Sequence, residues 1–172
     1  MNSERTEKLN KMNLYEKLFE MRDRDRERQK DGLAVVKGKE LPWEINRQGK
    51  MRWYLHPAIE DTVSRDKIIC VQEIPSGSRS GRVKFQGGQV IRILKGKGYT
   101  LLDGVKHYWQ AGDVVQLPLR PGGVTFQHFN EGPDPVQLIA VEANVVDALG
   151  LDRGSSFEQL ENCPEYEKIK SK

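Results

Sequence analysis

Hydrophobic residues near the start of the chain recur at the spacing of a helix. Residues 10–30 contain no Pro or Gly, and their apolar side chains return every three or four positions, which predicts an amphipathic helix. The second half of this segment, residues 22–28, alternates basic and acidic side chains without an apolar face, so we expect that half to be solvated. The apolar positions are Met12, Tyr15, Leu18, Phe19 and Met21.

Beyond Gly32 the pattern changes to short runs of β-forming residues separated by Gly, Pro and Asp. Such runs at regular spacing predict an all-β sandwich or barrel. Asp103 and Gly104 indicate a tight hairpin turn, because both residue types tolerate positive φ angles. The capping-box pattern from Ser155 to Glu158 predicts that a short helix begins there. The predicted strands cover residues 34–36, 51–55, 67–74, 82–86, 90–95, 99–102, 106–110, 113–117, 123–129 and 136–143.

The fraction of charged side chains differs between the first 31 residues and the rest of the chain. Residues 1–31 are much richer in charge than the rest, and the helical pattern lies within them. We therefore predict a charged N-terminal helix or arm over residues 1–31, an all-β barrel over residues 32–147, and a C-terminal tail with a short helix over residues 148–172.

Composition narrows the range of partners. The chain has 28 Lys+Arg against 25 Asp+Glu without a basic stripe, so we expect no nucleic acid partner. Its apolar runs are far shorter than the roughly 20 residues of a membrane helix, and the first residues contain no apolar signal segment. These features predict a cytoplasmic protein that does not bind membranes. Cys70 and Cys163 lie far apart in the sequence and predict free thiols.

Two groups of residues have a fixed spacing. In the first, Gly77 is followed after five residues by Val83 and, two positions on, Phe85, then after three more residues by Gln89 and after six by Gly96. The second group begins with Gly112 and Pro118, and ends with the segment from Pro121 to Asn130, which contains Phe126 and His128.

These spacings resemble the two motifs of the cupin family, and in particular of its small single-domain members. The resemblance is strong over Gly77 to Asn130 and looser from Leu41 to Ala143. It implies a double-stranded β-helix, or jelly-roll, barrel preceded by the N-terminal helix. Function does not follow from it, because one fold hosts many activities.

The resemblance places four residues at the positions where other cupins carry metal ligands. Val and Phe side chains have no donor atoms, and Gln is a weak neutral ligand. We therefore predict that the barrel binds no metal and no cofactor. The four residues are Val83, Phe85, Gln89 and Phe126.

His128 is the polar residue that remains near these positions, because strand alternation puts it on the same face as Phe126. Two interpretations stay open. His128 is either a hydrogen-bonded residue that maintains the shape of the lumen, or a polar anchor or general base in an apolar pocket. In the second case it needs an acid partner, for which Tyr99, Tyr108 and Gln89 are candidates.

Three classes of function remain. The preferred hypothesis is a metal-free cupin that binds a small, partly apolar molecule in the barrel lumen. The alternative is an enzyme, either a metal-free isomerase, epimerase or lyase that uses His128 as its catalytic residue, or a dioxygenase-like metalloenzyme with atypical ligands. The third class is a structural subunit with a lumen packed shut. The predicted ligand-binding residues are Val83, Phe85, Gln89, Phe126 and His128.

We also predict a homodimer. Trp43 and Trp53 lie on β-type segments before the barrel motifs, where cupins commonly add strands to a partner's sheet. Unpaired strand edges favour such pairing. Sedimentation at micromolar concentration should therefore give about twice the 19.7 kDa of one chain, and a mass of one chain would contradict the prediction.

Overall fold

The computed structural model describes residues 3–149 and 157–171. The chain divides into two units. One comprises Met1–Val36 and Ile59–Ser64, and the other comprises Lys37–Ala58 and Arg65–Lys172. No helix in the described ranges is both long and apolar enough to cross a membrane.

The first unit contains two helices, α1 (Ser3–Asn10) and α2 (Leu14–Asp31). The single helix predicted over residues 10–30 is interrupted because Asn13 caps α2, with its Oδ1 accepting a hydrogen bond from the backbone N–H of Glu16 at 3.3 Å. The apolar residues of this region do not pack into a core of their own. Met12, Leu14, Tyr15, Leu18 and Met21 are all exposed.

After α2 the chain contacts the second segment of this unit, residues 59–64. Leu33 forms an isolated parallel bridge with Thr62, and the Arg28 guanidinium donates to the carbonyls of Thr62 and Val63. The strand predicted over residues 34–36 is wrong, because these residues pair with no strand in the part of the chain that the structure describes.

The second unit consists of two antiparallel sheets. One has the strand order β1-β2-β3-β10-β5-β8 and the other has the order β11-β4-β9-β6-β7. The strands are β1 (Glu44–Asn46), β2 (Gly49–Leu55), β3 (Lys67–Ile74), β4 (Arg82–Phe85), β5 (Val90–Lys95), β6 (Lys97–Leu102), β7 (Val105–Gln110), β8 (Val114–Gln116), β9 (Val124–Asn130), β10 (Val136–Ala143) and β11 (Glu158–Glu161).

The remaining predicted strands are confirmed, with ends that differ by at most two residues. β1 and β11 were not predicted from the sequence, because each is short and has a single apolar residue. The hairpin at Asp103 and Gly104 is confirmed, since both residues have positive φ angles, of 48° and 87°.

The C-terminal segment differs from its sequence pattern. Ser155 and Ser156, the start of the predicted capping box, lie outside the described residues. Glu158, which the pattern assigns to the first turn of a helix, instead begins β11 and pairs with Lys84 of β4. Pairing with the sheet thus overrides the local helix signal. Two short helices flank β11, α3 (Val146–Leu149) before it and α4 (Pro164–Lys170) after it.

Residues that alternate along the strands fill the space between the two sheets with one apolar core. Both sheets contribute, and the buried members lie on the inward face of each strand. The core contains Met51, Cys70, Ile74, Val83, Phe85, Ile91, Ile93, Trp109, Leu117, Val124, Phe126, Val136, Leu138 and Ala140.

Asn130, the last residue of the second motif, joins the two sheets. Its Nδ2 donates to the carbonyls of Ile74, Pro75 and Asp134 at 2.8–3.0 Å, and its Oδ1 accepts from the N–H of Gly132 at 2.9 Å. One buried amide therefore connects the end of β9 with the end of β3 and with the turn that leads to β10.

We expect Asn130→Asp to destabilise the protein by about 2–4 kcal/mol, because a carboxylate would replace a buried donor that faces three carbonyl oxygens. The free energy of unfolding from urea titrations at pH 7 measures the loss. The control is Asn162→Asp, which changes an amide whose hydrogen bond to Glu167 is exposed, and it should stay within about 0.5 kcal/mol of wild type. A similarly small effect of Asn130→Asp would disprove the joining role.

Candidate functional site

The structure brings most of the predicted lumen residues together. Val83 lies opposite Phe126, and Phe85 lies opposite Val124, in the register of β4 and β9. The rings of Phe85 and Phe126 meet edge to face, with 5.4 Å between their centroids. Side chains therefore pack against each other at these positions as part of the core.

These positions do not fit a metal ion. Val83, Phe85 and Phe126 present only carbon atoms, and a divalent cation among them would lose its hydration without compensation. In the part of the chain that the structure describes, no three His, Cys, Asp or Glu side chains are grouped so that they could hold a metal.

His128 is buried at one end of a chain of hydrogen bonds. The indole Nε1 of Trp109 donates to Thr100 Oγ1 at 2.9 Å, and Thr100 Oγ1 lies 2.8 Å from Nδ1 of His128. Because the hydroxyl oxygen accepts from Trp109, its own proton is available to His128. When Nδ1 accepts that proton, the neutral ring carries its own proton on Nε2.

Burial lowers the pKa of His128 to about 4. The imidazole is therefore neutral at pH 7 and a poor proton acceptor. The backbone N–H of His128 is also fixed, by a 2.9 Å hydrogen bond to Ser80 Oγ. This geometry favours the shape-maintaining interpretation of His128, and a catalytic role stays a prediction.

The candidate tyrosine partners lie elsewhere. Tyr99 points to the opposite side of β6 from Thr100, where its ring stacks on Phe129 with 4.6 Å between centroids. Tyr108 packs against Tyr99 and is largely exposed. Neither tyrosine therefore lies next to His128, and the sequence could not show this because the register of β6 was unknown.

Gln89 reaches a partner that the sequence analysis did not single out. Its Nε2 donates to Oε2 of Glu142 at 3.0 Å. Glu142 continues the inward alternation of β10 after Leu138 and Ala140, which are both buried in the core. The sequence signal that could have identified Glu142 is a polar residue that follows apolar residues at alternate positions of the same strand.

Glu142 is a partly buried carboxyl in apolar surroundings. Burial raises its pKa, and the hydrogen bond from Gln89 opposes the rise. Among the described residues, no Lys, Arg or His forms an ion pair with it. Burial, together with the charge of Glu142, raises the pKa of the nearby Cys70 thiol to about 12. The Gln89 and Glu142 side chains form the acidic end of the inward face, and we call them the Gln89–Glu142 pair.

Comparisons with known proteins concern the fold. No protein-family model and no curated protein sequence matches the chain. An uncharacterised conserved protein with a double-stranded β-helix domain from Klebsiella pneumoniae is 20% identical, with a TM-score of 0.54, over 76% of this chain and 99% of that one.

Two further structures are similar over most of their own length. An RmlC-like cupin from Shewanella frigidimarina is 18% identical, with a TM-score of 0.50, over 65% of this chain and 91% of that one. The polyketide cyclase RemF from Streptomyces resistomycificus is 13% identical, with a TM-score of 0.54, over 64% of this chain and 79% of that one. At these identities the likeness shows the architecture of the two sheets.

The buried state of His128 predicts a pH-dependent stability. Between pH 6.5 and about 4 the unfolded chain binds a proton at His128 that the folded protein excludes. Stability should therefore fall as pH is lowered across this interval, by on the order of 3 kcal/mol from this residue. Urea titrations at several pH values measure the fall. His128→Gln should remove the contribution of His128 to this fall in stability, whereas substitution of the exposed His107 by Gln should not. If stability falls equally with pH in wild type and both variants, His128 is not the residue responsible.

Proposed function

This chain has the cupin fold, and we propose that it is a metal-free cupin that binds a small, partly apolar molecule inside its barrel, with the Gln89–Glu142 pair as the polar anchor. The single observation that carries the proposal is the position of this pair. It is a partly buried carboxyl and amide on the inward face of a mostly apolar wall.

The pair has the composition of a binding site more than that of a structural contact. Ligand sites are mostly apolar, with a few polar groups that fix orientation. Around Glu142, the inward positions are Ala140 on the same strand, Ile68 directly opposite on β3, and Cys70 diagonally opposite, and Ala140 and Cys70 belong to the core. A structural carboxylate in such surroundings normally has a cation, which Glu142 lacks among the described residues.

His128 has a supporting role in this proposal. The hydrogen-bonded chain from Trp109 through Thr100 fixes the imidazole beside Phe126, whose ring centroid lies 5.1 Å from that of His128. The histidine then holds the wall of the lumen in place. The polyketide cyclase in the comparison is an enzyme of similar fold, but at 13% identity it supports no assignment of a reaction to this chain.

A structural subunit is the second candidate, and one observation favours it. Phe85 and Phe126 occupy space in the core where other cupins have ligand side chains and an ion, and the two rings are in contact. If the whole interior is closed in this way, the Gln89–Glu142 pair is only a satisfied polar contact at its edge.

The two candidates predict opposite effects of Glu142→Gln. A carboxyl kept for ligand binding costs stability in the free protein, so the neutral amide should raise the free energy of unfolding at pH 7, by about 1 kcal/mol. Because the folded-state pKa is raised, the cost of Glu142 is complete above that raised pKa and disappears as the pH falls to the unfolded value of 4.5. The gain in urea titrations should therefore shrink as the pH is lowered towards 4.5 and be absent below it.

Glu73→Gln is the matched control. Glu73 also lies on this sheet and accepts a hydrogen bond from a glutamine, Gln137, but it is paired with Lys50 at 2.7 Å. Its substitution should not stabilise the protein. If Glu142→Gln lowers the free energy of unfolding as much as Glu73→Gln does, or more, the result favours the structural subunit and contradicts the binding function.

A direct test is a thermal-shift screen of small, partly apolar compounds against wild type and Glu142→Gln. The binding function predicts compounds that stabilise wild type and lose this effect in the variant. Glu131→Gln changes an exposed carboxyl just after β9 and should respond as wild type does. A screen in which no stabilising compound depends on Glu142 would overturn the proposal.

A further inference from the structure

We infer that the group recognised by the Gln89–Glu142 pair is a protonated amine, so that the ligand is a small amine with an apolar body. This inference rests on the proposed binding function and adds the charge of the ligand to it.

The hydrogen bonds of the pair leave acceptors without donors. Gln89 Nε2 is used by Glu142 Oε2 at 3.0 Å. Within the described ranges, neither the second carboxylate oxygen of Glu142 nor the amide oxygen of Gln89 accepts a hydrogen bond. The site therefore offers two oxygen acceptors to an incoming group. An ammonium group, with three N–H donors and no acceptor, matches this arrangement.

The charge at the site is also unbalanced. Two other carboxylates on the sheets have a cationic partner: Glu73 pairs with Lys50, and Glu161 pairs with Arg82, each at 2.7 Å. Both of those carboxylates are compensated within the chain, whereas the partner of the Glu142 carboxylate among the described residues is a neutral amide. A carboxylate in low-dielectric surroundings gains most from a ligand that brings the missing positive charge.

The walls suit the rest of such a ligand. Cys70 lies opposite Ala140 on β10 and opposite Trp53 on β2, and the Trp53 side chain packs against the core, so apolar and aromatic residues lie beside Glu142 on the inward face. Aromatic faces attract cations as well as apolar groups. An amine on an aromatic or aliphatic body therefore satisfies both the acidic end and the apolar wall, whereas a carboxylate ligand would be repelled by Glu142.

The test compares three probes of nearly equal size, benzylamine, benzyl alcohol and benzoate, by calorimetric or NMR titration at pH 7. We expect benzylamine to bind wild type at least ten-fold more tightly than benzyl alcohol, and benzoate to bind most weakly. Glu142→Gln should weaken benzylamine binding ten-fold or more and change benzyl alcohol binding by less than two-fold. Glu131→Gln should leave the affinities for all three probes unchanged.

The outcomes separate the amine inference from the binding function. Benzyl alcohol or benzoate bound more tightly than benzylamine, with binding that Glu142→Gln alters, would overturn the amine inference and leave the binding function standing. Benzylamine binding that is unaffected by Glu142→Gln would place the amine elsewhere and also overturn the inference. If none of the three probes binds wild type at the limit of its solubility, the amine inference fails, and the compound screen described above decides the binding function separately.

Discussion

Every inward side chain between the two sheets must be either apolar or fully hydrogen-bonded, and this requirement governs the whole β unit. Val83, Phe85 and Phe126 meet it by being apolar. Asn130 meets it by using both ends of its amide on backbone groups, and His128 meets it through Thr100. Glu142 meets it only in part, since a single amide cannot compensate a carboxylate. Glu142 is thus an inward residue that does not fully meet the requirement, and such residues are expected at functional sites.

The sequence predicted much of this architecture because period-two alternation and glycine-rich turns are local signals. The strands from 51–55 to 136–143 and the Asp103 turn followed from them, and the motif spacing identified the cupin fold. Residues 34–36 and β11 were assigned wrongly or missed, because their conformations depend on whether another strand lies beside them. Such long-range pairing leaves little trace in a short segment.

The candidate site was predictable only in part, for the same reason. Spacing alone located Val83, Phe85 and Phe126, which the structure brings together on β4 and β9. The partner of Gln89 is 53 residues away in the sequence, and the contact exists only because β10 pairs with β5 in a particular register. Likewise, the position of Tyr99 on the outer face depends on the register between β6 and β9. A shift of one residue would have turned it inward.

Burial makes both cysteine thiols of the β unit unreactive. Burial raises the pKa of Cys70 to about 12, so very little of it is thiolate at pH 7, and Cys163 is fully enclosed beside the carbonyl of Asn46. Alkylating agents and mild oxidants act on thiolates, so the folded β unit is inert to them. A single cysteine introduced on its surface would therefore be the one position that a maleimide dye or spin label modifies, without removal of the native cysteines.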